Sequence, residues 1–141
     1  MMFWLRKALV LAIHDRQLLE YGGSSGVRDE TLLDSALARP QQLQADGDPE
    51  PDLAALAASL AFGLARKHPF VDGNKRTAHV GYRTFLALNG SELVVGQEDK
   101  YLSILALAEG RMSEAEFAAW LRRHLRPAAA QLHETAAAYR K

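Results

Sequence analysis

The sequence predicts an all-α protein, a compact bundle of six or seven helices with a short flap or hairpin and little or no sheet. Three observations predict it. Apolar residues recur at helical rather than alternating spacing along most of the chain. The segments so marked end at Gly or Pro stops, as at Gly22-Gly23, Pro40, Asn89-Gly90 and Gly110. One alanine-rich segment, residues 52–67, is apolar on almost every side, which places it in the middle of a bundle. At 141 residues the chain has the size of one domain with one core. Residues 1–126 are read as that domain and 127–141 as a C-terminal helical extension.

The first helix runs from about Leu5 to Tyr21, with Leu5, Leu9, Ala12, Ile13 and Leu19 as its expected buried face. His14 lies in its middle, where a histidine is more often a hydrogen-bonded structural residue than a reactive one. Asp29 caps a second helix through Leu32, Leu33, Ala36 and Leu37, which Pro40 is expected to end. Residues 39–51, RPQQLQADGDPEP, carry three prolines and an Asp-Gly. They read as a loop or exposed hairpin, either a flap beside a site or a plain connection. Asp52 caps the central helix. Pro69 disfavours helical geometry at the residue before it, so this helix finishes near Lys67 and delivers His68 onto a loop that Phe70 anchors in the core. The next helix starts near Asn74 and buries Ala78, Gly81, Tyr82, Phe85 and Leu86, turning Arg76, His79, Val80 and Arg83 towards another face. Residues 91–96 form a short extended piece, and a helix through Leu102, Leu105 and Ala108 follows. Ser113 with Glu116 makes a capping box for the helix carrying Phe117, Trp120, Leu121 and Leu125, and Pro127 separates the last segment.

Lys plus Arg equals Asp plus Glu at 17 each, so no overall field recruits nucleic acid or an anionic membrane, and neither is expected as a direct partner. The absence of cysteine excludes disulfides and thiolate chemistry. Arg6-Lys7 precedes an apolar run, but the run from Ala8 to Ile13 is too short for a secretory signal. It reads as the buried face of a cytosolic helix, and a cytoplasmic location is expected.

The chemistry is concentrated in residues 68–78, HPFVDGNKRTA. His68 can move a proton near neutral pH, and Asp72 can hold a divalent cation. Gly73-Asn74 reads as a turn that opens a helix, which places Lys75 and Arg76 in its first turn. Two cations there run against the helix dipole, and a bound polyphosphate would explain them. Any one of these residues alone is better read as a solvated loop charge. Together they read as a phosphate-handling active site. Zinc held by His68, Asp72 and His79 is a poor alternative, because the spacings match no zinc pattern.

HPFVDGNKRTA resembles the Fic/Doc signature H-x-F-x-[D/E]-G-N-x-R. Tyr21-Gly22-Gly23, Arg28-Asp29, Leu32-Leu33, Ser35-Ala36-Leu37 and Pro40 resemble the N-terminal half of Doc (death-on-curing) proteins, so the likeness covers about residues 8–125. It departs from the Fic branch, which reads G-N-G-R-x-x-R: Lys75 replaces the second glycine and His79 the second arginine. That pattern is similar to Doc toxins. The resemblance implies transfer of the γ-phosphoryl group of ATP or another nucleoside triphosphate to a protein Ser or Thr hydroxyl, with elongation factor Tu as target. It implies His68 as base, Mg²⁺ on Asp72, phosphate contacts from Gly73, Asn74, Lys75 and Arg76, and charge stabilisation by Lys75 and Arg76. It also implies a flap at residues 39–51 that aligns the target by strand addition. The self-inhibitory motif of many Fic proteins is missing, since Leu105 stands four residues before Glu109-Gly110. A cognate small antitoxin is therefore expected. The alternatives are a Fic-type nucleotidyltransferase that transfers AMP, and a non-catalytic nucleotide- or anion-binding module in which His79 adds a basic group beside Arg76.

Overall fold

The computed structural model describes residues 1–128, and the expected C-terminal extension from residue 129 onward lies outside the described residues. The order is α1 (Lys7–Tyr21), α2 (Glu30–Asp46), α3 (Leu53–Arg66), α4 (Asn74–Leu88), β1 (Ser91–Leu93), α5 (Gln97–Glu109), α6 (Glu114–His124) and β2 (Leu125–Pro127). The all-α bundle is as expected. Among the described residues no helix is long and apolar enough to cross a membrane.

α3 is the axis of the bundle and touches α2, α4, α5 and α6. Its alanines explain this: small side chains let helices approach from every side, and Leu56, Leu60 and Leu64 fill the gaps between them with at most 1% exposure. At Gly63 a Cβ would lie 2.9 Å from Ala36 Cα, so the α2 crossing requires glycine there. Asp52 starts α3 by accepting the Ala55 N–H and also binds the Arg122 guanidinium, which pulls its carboxyl below the ordinary value. α4 buries Ala78, Gly81, Tyr82, Phe85 and Leu86 against α3 and α1, the face its sequence predicts. The Ser113–Glu116 capping box forms with both of its hydrogen bonds.

Three expectations are corrected. α2 does not stop at Pro40 but runs on to Asp46, so the flap expected over residues 39–51 is helical for most of its length. Pro40 lacks the N–H that would reach Ala36, yet its ring is buried, and neighbouring groups hold the helix through the defect. Arg39 donates to Ser59 O and pairs with Glu114, and Leu43 packs on the core. On α1 the buried face is Val10, Ile13, His14 and Gln17, while Leu9 and Leu19 are exposed. Polar residues take interior positions there because they face the site described below. On α5 the buried residues are Lys100, Ser103, Ile104, Ala106 and Leu107, with Leu102 exposed. Finally, Pro127 does not begin a helix. It pairs with Ser91 at the end of a two-stranded antiparallel sheet, and Ala128 N donates to Gly90 O.

Candidate active site

The site grows from the loop between α3 and α4. α3 ends at Arg66, and His68 follows with φ of 52°, a left-handed conformation that costs a non-glycine residue about 1 to 2 kcal/mol unless its surroundings hold it. They do. Arg28 Nε donates to His68 O at 2.7 Å and Arg28 Nη2 to Lys67 O at 3.0 Å. The backbone N–H groups of Arg28 and Asp29 both donate to Pro69 O, and Val71 N donates to Gly26 O. The segment after α1 is thus laced along the motif loop.

Phe70 pins the loop from within. It is 1% exposed, and its ring stacks on His14 with centroids 3.8 Å apart. His14 Nε2 donates to Asp72 O at 2.8 Å, so this histidine is the hydrogen-bonded structural residue the sequence suggested. The Asn74 side chain closes the loop: its Oδ1 accepts from Phe70 N at 2.9 Å and its Nδ2 donates to Phe70 O at 3.0 Å. The Asn74 side chain, expected to touch phosphate, thus also holds the loop. Gly73, at φ of 75°, makes the left-handed turn into α4.

Asp72 is exposed, and its Oδ2 accepts from Ser24 N and its Oδ1 from Gly73 N. These two N–H groups, with the more distant Arg76 and His14, lower its pKa and keep it ionised. Each oxygen retains a free lone pair. Gly23 makes room for this carboxylate, since a Cβ there would lie 2.7 Å from Asp72 Oδ2.

A cavity of about 1000 Å³ opens in front of the loop, and His68, Asp72, Gly73, Asn74, Lys75 and Arg76 all line it. Gln17 and Tyr21 of α1, His79 and Arg83 of α4 and Tyr101 of α5 line it too. The His68 ring and the Lys75 ammonium form no hydrogen bond or ion pair with a described residue and are free to meet a ligand. Arg76 crosses to α1, where it donates to Gly22 O at 3.1 Å and lies over the Tyr21 ring. His79 is not the further cation the sequence suggested. Burial, Arg83 and Lys100 push its pKa down to about 4, so it is neutral at pH 7, and its Nε2 accepts from Arg83 Nη1 at 3.3 Å.

The sequence reading missed the supports. Gly23, Ser24 and Arg28 hold Asp72 and His68 from more than 35 residues away in the chain, and Gln17 is a buried amide on the cavity wall. The cluster of glycines between two helices was the available signal, because positive φ at Gly22, Gly23 and Gly26 marks a loop of fixed shape.

Residues 4–86 match the model of the Fic/DOC family. A protein named Toxin Doc from Mycolicibacterium smegmatis is 49% identical over 75 residues, which is 53% of this chain and 58% of that protein. A protein named Protein kinase doc from Escherichia phage P1 is 33% identical over 114 residues, 81% of this chain and 89% of that protein. The alignment to the mycobacterial relative thus spans less than two thirds of its length, whereas the phage relative is matched almost throughout. With the motif loop, the cavity and these alignments in agreement, the chain belongs to the Fic/Doc family.

Proposed function

We propose that the protein is the toxin of a toxin–antitoxin pair, and that it transfers the γ-phosphoryl group of ATP or another nucleoside triphosphate to a Ser or Thr hydroxyl of a protein, with elongation factor Tu as the target. The observation that carries this reading is the convergence of an unbonded His68 ring, an ionised Asp72 and the Lys75 and Arg76 cations on one cavity. The names of the two relatives, one a toxin and one a protein kinase, support it. His68 takes the proton as the hydroxyl oxygen bonds to the γ-phosphorus. The bond from that phosphorus to the bridging oxygen breaks, and the negative charge passes to the leaving nucleoside diphosphate. Lys75 and Arg76 stabilise that charge. Asp72 fits a site for Mg²⁺, which is commonly held by one carboxylate together with substrate phosphates, and the ion would neutralise and orient the polyphosphate.

Lys75 supports γ- over α-transfer, because its side chain occupies the turn at which a glycine would let the α-phosphate approach the backbone. A neutral His79 removes the extra cation that favoured simple anion binding. The test is incubation of the protein and its target with ATP labelled separately at the α- and γ-phosphates. Label retained on the target from the γ position, and absent with His68→Ala, is the expected result; label from the α position overturns it. Expression of the intact chain should arrest growth of a bacterial host, and His68→Ala should not. A small antitoxin should relieve the arrest, as the toxin reading requires.

A further inference from the structure

Gln17 on α1 is a buried polar side chain without a partner. It is 8% exposed, yet its amide makes no hydrogen bond with any described residue. An amide covered in this way normally finds one, because leaving it unbonded is costly. It is not sealed in, however. The buried side-chain atoms that lack a partner are Thr77 Oγ1, His79 Nδ1 and the Tyr82 hydroxyl, and no atom of Gln17 is among them, while Gln17 lines the main cavity. Its donor and acceptor positions therefore open onto that cavity, where a ligand can reach them.

The neighbours of Gln17 along α1 fix the part of the cavity it faces. Residues three and four apart share a helix face. Three residues before Gln17, His14 donates to Asp72 O, and four residues after it, the Tyr21 ring lies under the Arg76 guanidinium. The amide thus stands over the start of α4, between Asp72 and Arg76. That helix start is rich in donors. Thr77 N reaches Gly73 O, but the N–H groups of Asn74, Lys75 and Arg76 come before the first intrahelical bond, and the N-cap Gly73 has no side chain to meet them. A ligand that satisfies this place must bring several acceptors, and a phosphate does so.

We propose that Gln17 is a phosphate-contacting residue of the nucleotide site, its Nε2 donating to a phosphate oxygen held at the start of α4. The inference rests on the nucleotide-dependent reaction proposed above and adds to it a donor from α1, opposite the motif loop. A neutral amide gives up little of this contact or gains little as charge moves during transfer, so Gln17 serves affinity for the polyphosphate rather than the chemical step.

The experiment is calorimetric titration of ATP, and separately of inorganic tripolyphosphate, into the intact protein with Mg²⁺, for the parent, Gln17→Met and Gln17→Glu. Gln17→Met should bind both ligands about tenfold more weakly, the loss of one hydrogen bond to a charged group. Gln17→Glu, which has the same shape but no donor and a like charge, should bind both about a hundredfold more weakly or worse. Parent-like affinity in a variant overturns the proposal. So does a loss confined to ATP, which would put the amide against the nucleoside, or tighter binding by Gln17→Glu, which would put it against the metal ion. A parent that binds neither ligand overturns the nucleotide reading itself, an outcome distinct from parent-like variants. Melting curves without ligand accompany each titration; Gln17→Met keeps the packing and Gln17→Glu the polarity, so a folding failure in one leaves the other to decide.

Discussion

Arg28 binds the backbone of His68 rather than its ring: the guanidinium spans the carbonyls of Lys67 and His68 at 3.0 and 2.7 Å, where α3 has just ended. It offsets the dipole at that helix end and fixes the left-handed φ that aims the imidazole into the cavity. Arg28→Ala should therefore lower kcat for phosphoryl transfer by roughly 10- to 100-fold while nucleotide KM changes little, since the nucleophile's base is displaced but the phosphate contacts remain. Arg28→Lys should recover little, because a point charge cannot span both carbonyls. Steady-state kinetics with a melting curve for each variant checks this. An unchanged kcat, or a rise confined to KM, would remove Arg28 from the site's architecture.

Gly23 and Asp72 are in contact across the loop, and Gly23 has φ of 120°. Gly23→Ala places a methyl 2.7 Å from Asp72 Oδ2 on a backbone that L-residues avoid. The expected cost is about 1 to 3 kcal/mol of stability. The carboxylate should also move, weakening Mg²⁺-dependent nucleotide binding. Calorimetry of ATP binding with and without Mg²⁺ measures the second effect. An alanine variant with native magnesium dependence would show that Asp72 does not need this support.

Asn74 separates two roles, loop closure and phosphate contact. Its side chain pairs with both backbone groups of Phe70, so Asn74→Ala leaves a partly buried N–H and C=O without partners. The ligand-free protein should lose about 1 to 3 kcal/mol in urea denaturation. Asn74→Asp keeps the acceptor but sets a carboxylate against Phe70 O, so it should be destabilised as well. If both variants melt like the parent without ligand, the side chain does not close the loop.

What the sequence made legible was what local rules decide. Asp29, Asp52 and Ser113 cap as expected, since a cap depends on neighbours within three residues. His68, Asp72, Lys75 and Arg76 reach one cavity because the motif is contiguous and a helix start orders it. Long-range forces decided the rest. Pro40 stays helical because Arg39 and Leu43 are held by α3, α6 and the core. His14 and Gln17 displaced the leucines from the buried face of α1 because a stacked phenylalanine and a cavity lay opposite them. Arg28 reaches the motif from 40 residues away, which no periodicity records. β2 is three residues long and exists only through its pairing with β1.

His79 gives the protein an acid-side stability signature. Burial is the first cause of its depressed pKa, and Arg83 and Lys100 add to it. The unfolded chain has the ordinary histidine value of 6.5 against about 4 in the fold, so between those pH values the unfolded state binds more protons. Stability from this group is therefore complete above pH 6.5 and is lost as pH falls towards 4. Full weight would be about 1.4 kcal/mol per unit, and the ring's partial access to solvent reduces the total to about 1 to 2 kcal/mol. Asp52 and Asp72, whose pKa values are lowered from 3.8, surrender their contributions below that window and do not obscure it. Urea denaturation of the parent and of His79→Gln at half-unit steps from pH 7.5 to pH 4 reads the difference directly. The gap in stability should shift in favour of His79→Gln by about 1 to 2 kcal/mol on going from pH 6.5 to 4. A gap that stays constant with pH would mean that the imidazole is as easily protonated in the fold as outside it.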